Sequence, residues 1–345
     1  MNNIFFPPEW YPQDAVMLTW PHKESDWHYM LDEITECFRK LAGEILKEQR
    51  LIVVAPDEKI VTDALKDIAL SGNLQIVVLP SNDTWARDHA PVSVFINNKP
   101  VLYDFTFNGW GLKFAANYDN QINRGLFAKN IFETDVRYEN KKNFVLEGGG
   151  IESDGKGTLL TTSECLLSPN RNPYLTKQEI EDYLISVFGL KRVLWLDHGY
   201  LAGDDTDSHI DTLARFCDEH TIAYVKCEDE ADEHFGSLQK MEEQLKEFTD
   251  YQGQAYNLIP IPMADTVMED GERLPATYAN FLIMNKVVLM PTYNSPKDDI
   301  AKKQLEKAFP SRKIVGVDCL PIIKQHGSLH CVTMQFPKGF IKNKF

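Results

Sequence analysis

Residues 286–318 read KVVLMPTYNSPKDDIAKKQLEKAFPSRKIVGVD. The apolar run KVVLMP (286–291) predicts a strand. The amphipathic stretch near 297–309 predicts a helix, and RKIVGVD (312–318) predicts a second strand. Pro169 to Asp197 repeats the plan: a Ser-Pro start, a helix near 176–188, and KRVLWLD (191–197), with GTLLTT (157–162) ahead of it. The two copies lie roughly 120 residues apart, and self-similarity at a fixed offset marks a repeat architecture.

The same strand–helix–strand theme extends outward. AVMLTWP (15–21), a helix near 26–48, RLIVVAP (50–56), a helix near 57–70 and LQIVVLP (74–80) form one copy. TIAYVKC (221–227), a helix near 234–248 and YNLIPIP (256–262) form another, and a less regular helix near 118–131 makes the count five or six. Short Val/Ile/Leu-rich strands alternating with helices indicate an α/β fold. No linker or low-complexity stretch divides the chain, so residues 1–345 are expected to form one domain. A doubly wound sheet is the alternative. Its G-x-G-x-x-G fingerprint after the first strand is missing, because EGGGI (147–151) follows a later strand and opens no helix.

Composition narrows the function classes. The chain has 345 residues, 43% of them apolar, and a formal charge of −15. That balance disfavours nucleic acid, whose phosphates need clustered Lys and Arg, and suits a small cationic ligand. MNNIFFPPEWYPQ (1–13) has neither the basic start nor the apolar run of a secretory signal. No run reaches the roughly 18 apolar residues of a membrane span. A cytoplasmic protein with no membrane partner is expected. The six cysteines are scattered without a C-x-x-C pair, which argues against disulfides or a thiolate zinc knuckle in a reducing compartment.

Residues able to do chemistry gather just past the apolar runs. Trp85-Ala86-Arg87-Asp88 follows LQIVVLP, and Glu147-Gly148-Gly149-Gly150 follows NFVL. GDDTDSHID (203–211) follows VLWLDHGYLA, and His326-Gly327-Ser328-Leu329-His330-Cys331 runs into VTMQF. Each has a plain structural reading. Asp88 could pair with Arg87 on the surface, Glu147 could sit in a solvated glycine turn, and Cys331 could be a buried small hydrophobe. The acidic run 204–211 looks metal-like but lacks the Gly and distal Glu of a calcium loop, and could be a solvated loop. His326 and His330, if on a strand, would lie roughly 13 Å apart, too far to share a metal. Together, however, one Cys, one His and three carboxylates stand at strand ends.

Those motifs, with PPEWYPQDAVMLTWP at the start, WARDHAP (85–91), FNGWG (107–111), LEGGGI (146–151), GDDTDSHIDT (203–212) and HCVTMQFP (330–337), resemble the agmatine deiminase branch of the guanidine-modifying pentein superfamily. A related family of bacterial peptidylarginine deiminases shares several of them. The resemblance spans nearly the whole chain. It implies a five-bladed α/β propeller of ββαβ units around a central pocket. It also implies Cys331 as nucleophile, His209 as general acid/base, Glu147 as the carboxylate beside that imidazole, and Asp88 and Asp211 as clamps for a guanidinium. Ala90, where the family usually has Gly, and the segment before His330 depart from its pattern.

The chemistry fits those residue types. A guanidinium is a planar cation whose N–H edges match carboxylates. Its carbon is a poor electrophile and calls for a thiolate. Attack on a cation yields a neutral adduct, so the site needs anions and a proton donor rather than an oxyanion hole. Agmatine carries a second cation, for which Trp85, Asp205 and Trp110 are the candidate contacts. No metal or cofactor is expected, and whether the chain forms a homo-oligomer is left open. The alternatives are a peptidylarginine deiminase, a metallohydrolase using His209, Asp211 and Glu147, and a non-catalytic propeller that binds partners.

Overall fold

The computed structural model of the protein describes residues 3–68 and 72–342 and places each predicted apolar run in a strand. Five sheets of three or four strands are formed among the described residues, with a two-stranded hairpin beside them. In one sheet Val287–Thr292 pairs in parallel with Lys313–Asp318 and antiparallel with Leu282–Ile283. Thr158–Thr162 does the same between Arg192–Leu196 and Glu152–Ser153. Thr221–Lys226 sits likewise between Asn257–Pro262 and Ala214–Phe216. The repeat read at 169–197 and 296–318 is therefore a repeated three-strand unit. Each parallel pair is joined by a helix, because parallel strands need a long crossover.

The two four-stranded sheets vary this unit. Lys99–Thr106 runs parallel to Arg137–Val145 and antiparallel to Val92–Ile96, which also takes Ile4–Phe5. Gln13–Thr19, Arg50–Ala55 and Leu74–Val78 form a parallel set whose other edge is Thr333–Pro337 from the far end of the chain. The strand that follows Cys331 is thus paired with the first long strand. The sheets stay separate, which removes the doubly wound alternative.

Local sequence explains the helices. In Leu31–Glu48, Ile34, Phe38, Leu41 and Ile45 recur at helical spacing and are all buried. Lys177–Phe188 starts at a capping box between Thr176 and Glu179 and stops at Gly189, whose φ of 69° suits a helix end. The helix expected near 57–70 runs Glu58–Leu65, and residues 69–70 lie outside the described residues. Among the described residues no helix is long and apolar enough to cross a membrane.

Candidate active site

Asp88 lies in a one-turn helix, Ala86–His89, just past the strand Leu74–Val78. It is buried, and Arg87 beside it faces elsewhere, with its Nη2 3.9 Å from Glu9 Oε2, so the two do not form a surface pair. Asp88 Oδ1 accepts from the backbone N–H of Gly149 at 3.0 Å, and Oδ2 from the indole of Trp110 at 2.9 Å. Both bonds orient the carboxylate. Burial raises its pKa, opposed by the charge of His209.

Glu147 follows the strand Arg137–Val145 and is fully buried. Arg171 holds it, with Nε 3.0 Å and 2.9 Å from the two carboxylate oxygens. The same guanidinium reaches Asp207 at 2.5 Å and the carbonyl of Thr206 at 2.8 Å. Arg171 therefore pins the loop 203–211, where Asp207 and Ser208 turn through φ of 62° and 60°. That turn delivers His209 and Asp211 inward, both with no exposed surface. His209 Nδ1 is 3.6 Å from Asp88 Oδ1. Burial disfavours its charged form, but Asp88, Cys165 and Glu147 outweigh this and push its pKa up to about 10.

Cys331 sits in the turn before Thr333–Pro337, 3% exposed. Its Sγ is 3.9 Å from Asp211 Oδ2 and 3.4 Å from Asn280 Oδ1. Burial, then Asp211 and Asp88, raise the thiol well above its ordinary value. Gly149 closes the cluster. A Cβ there would stand 2.6 Å from His209 Nδ1, 2.9 Å from Asp88 Oδ1 and 3.1 Å from Asp211 Oδ2. The fold thus brings all five predicted chemical residues around one point.

Trp85, Asp88, Trp110, Asp205 and Cys331 line one cavity of about 330 Å³. Asp26, Asp83 and Asp119 face it too, and among the described residues none of these three has an ion-pair partner. Burial raises Asp83 and Asp119 to about 7. The glycine before the nucleophile is demanded by packing, since a Cβ on Gly327 would fall 2.1 Å from the ring of Trp85.

The segment 326–332 is a turn and not a strand, so the spacing expected between His326 and His330 does not apply. The two rings do part, for a different reason. His326 is half-exposed, its Nδ1 2.7 Å from the Gly203 carbonyl, while His330 is buried with one ring nitrogen 2.7 Å from Asp211 Oδ2 and the other 2.7 Å from Glu9 Oε2. His330, Asn280 and Arg171 are the supporting residues that motif reading missed.

Two buried sets, Glu147–Cys165–His209 and Glu9–Glu152–His330, each have donor atoms within 4.8 Å of one another, a metal-like spacing. In both, an arginine already occupies the carboxylates: Arg171 on Glu147, and Arg215 on Glu9 and Glu152. A divalent cation would have to displace a buried guanidinium, so neither set suits one.

The whole chain has relatives. Residues 5–337 match the family described as Porphyromonas-type peptidyl-arginine deiminase. A Legionella pneumophila protein named "Putative agmatine deiminase" is 33% identical over 343 residues, covering 98% of this chain and 96% of that one. A Porphyromonas gingivalis structure named "Putative Arginine Deiminase" has a TM-score of 0.95 and 54% identity, covering 98% and 100% of the two chains. A cysteine-to-serine variant of C. jejuni agmatine deiminase, solved with substrate bound, has a TM-score of 0.91 and 40% identity over 98% and 97%. Fold and site together define a hydrolase of C–N bonds with the mixed α/β fold of the pentein enzymes. The chain belongs to the Porphyromonas-type peptidyl-arginine deiminase family.

Proposed function

We propose that the protein hydrolyses agmatine to N-carbamoylputrescine and ammonia through a covalent thiouronium on Cys331. The observation that carries this reading is that the Cys331 thiol and Asp88 stand on the wall of one acidic cavity, with Asp211 buried behind the thiol, its Oδ2 3.9 Å from Sγ. The two carboxylates grip the guanidinium edges and set its carbon over Sγ.

The bound cation lowers the cost of ionising Cys331 between two carboxylates. The thiolate adds to the guanidinium carbon, forming a C–S bond and a neutral tetrahedral adduct. His209, protonated at neutral pH, gives its proton to the terminal nitrogen, whose C–N bond breaks to release ammonia. The imidazole then takes a proton from water, which attacks the thiouronium carbon. Breaking the C–S bond returns the Cys331 thiolate, and the hydroxyl proton of the collapsing adduct passes to solvent, leaving the neutral ureido product. Glu147 supports the imidazole from behind, and Arg171 keeps that carboxylate in place.

Agmatine is favoured over free arginine by Asp26, Asp83 and Asp119 on the cavity wall, because a second cation would draw Asp83 and Asp119, raised by burial to about 7, into their charged form, whereas an α-carboxylate would not. Trp85, Trp110 and Asp205 lie on the same wall system. The substrate-bound C. jejuni relative supports this choice. Peptidylarginine is the second reading, favoured by the family description. The finer fold that accompanies this function is a single domain of five blades, one per sheet, around the cavity, in a cytoplasmic enzyme that uses no cofactor.

Ammonia release from agmatine, arginine and an arginyl peptide, with and without a chelator, tests the reading. A large agmatine preference in kcat/KM that survives chelation is expected. Comparable rates on arginine or peptide overturn the substrate, and loss on chelation overturns the thiol mechanism.

A further inference from the structure

Cys165 is a buried thiol that the proposed reaction leaves unused. It lies in the one-turn helix Ser163–Leu166 with no exposed surface. That helix is clamped to the residue before the imidazole on two sides. The Thr162 hydroxyl, which accepts from Cys165 N–H at 3.3 Å, donates to the Ser208 carbonyl at 2.8 Å, and the Ser208 hydroxyl lies 3.1 Å from Glu164 Oε2.

Two neighbouring glycines mark the edges of the His209 ring. A Cβ on Gly149 would meet Nδ1 at 2.6 Å, on the side of Asp88 and Asp211. A Cβ on Gly150 would meet Cys165 Sγ at 3.3 Å and His209 Nε2 at 3.9 Å. The Nε2 edge therefore faces Cys165, and donor atoms of Cys165, Glu147 and His209 all lie within 4.8 Å of one another. Neither ring nitrogen has a conventional hydrogen-bond partner among the described residues.

We propose that Cys165 is a positioning residue for His209, its sulfur supporting the Nε2 edge so that Nδ1 stays turned toward Asp88 and Asp211. The inference rests on the reading of His209 as the proton donor. A proton-transfer imidazole must be held in both of its charge states. A carboxylate favours only the charged one, and Glu147 is already engaged by Arg171. A thiol is both a weak donor and a weak acceptor. It accepts from Nε2–H in both states, because the proton is given up at Nδ1 while Nε2 keeps its own, and as a weak acceptor it biases the ring toward the charged form far less than a carboxylate would.

The competing explanation is a cysteine that only fills space, which valine would match. The test compares wild type, Cys165→Val and Cys165→Ser by NMR titration of His209, kcat, KM and Tm. The valine variant should lose about tenfold in kcat with KM changed less than about twofold, in the range of a weakened acid/base group. Its His209 titration and the alkaline limb of its kcat profile should move down by roughly half a pH unit or more, while serine keeps most of both. Wild-type titration and kcat in the valine variant would overturn the proposal. So would a serine variant as impaired as valine with an equal drop in Tm. If valine does not fold, Cys165→Ala takes its place; if neither folds, a serine variant whose His209 titration moves by half a unit overturns the idea. Absence of ammonia release by wild type, with the titration still shifted in the valine variant, would sink the deiminase reading and leave the placement of Cys165 standing.

Discussion

His330 Nδ1 lies 2.7 Å from Asp211 Oδ2, so the residue next to the nucleophile is also the one that orients a clamp carboxylate. Its other nitrogen meets Glu9 Oε2 at 2.7 Å, which in turn takes Arg215 at 2.7 Å. Two carboxylates thus alternate with an imidazole and a guanidinium, each hydrogen-bonded to the next. Among the described residues the buried Asp211 Oδ1 has no hydrogen-bond partner, leaving an acceptor for an incoming cation.

His330→Asn should therefore weaken the clamp without touching Cys331. A buried charged hydrogen bond contributes about 1.5–3 kcal/mol, so kcat/KM for agmatine should fall roughly tenfold to a hundredfold. Steady-state kinetics check this, and an unchanged kcat/KM in a folded variant refutes the role of His330.

Trp110→Phe removes the indole N–H that donates to Asp88 at 2.9 Å while keeping an aromatic face. The second clamp should loosen, raising KM about tenfold with a smaller change in kcat, as expected when binding common to ground and transition states is lost. A KM matching wild type would show that Gly149 alone suffices to orient Asp88.

Gly149→Ala places a methyl within 3.1 Å of His209, Asp88 and Asp211 at once. The loop must shift and the three groups must part. Activity should drop by about a thousandfold, since misplacement by 1 Å alone costs on the order of a hundredfold. Circular dichroism should show a folded protein; full activity would mean that the loop yields freely.

The pH dependence of the thiol follows from its surroundings. Burial, Asp211 and Asp88 raise the Cys331 pKa well above its ordinary value, so the neutral thiol is held until alkaline pH. A bound guanidinium opposes Asp211 and Asp88 and should move ionisation to lower pH. Alkylation of Cys331 against pH, with and without a non-reactive guanidinium, reads this directly. An apparent pKa that stays put on ligand binding rejects substrate-assisted ionisation.

Much of the architecture was legible in the residues. The apolar runs, the Ser-Pro helix starts at 168–169 and 295–296, and the placement of Asp88, Glu147 and His209 after strands and of Cys331 ahead of one all depend on neighbours within a few positions. Period and turn chemistry are local, so a linear reading reaches them. It failed at 326–332, where a strand period was extended into a turn shaped by Trp85 packing over Gly327.

What tertiary structure alone decided is how distant residues neutralise one another. Arg171 on Glu147, His330 on Asp211 and Asn280 beside Cys331 link positions far apart in the chain. No local pattern marks such pairs, because burial of a charge is stabilised only by a partner that folding brings near. The chain order therefore specified which groups could react, and packing determined which of them are held, which face the cavity, and which carry an open valence toward a cation.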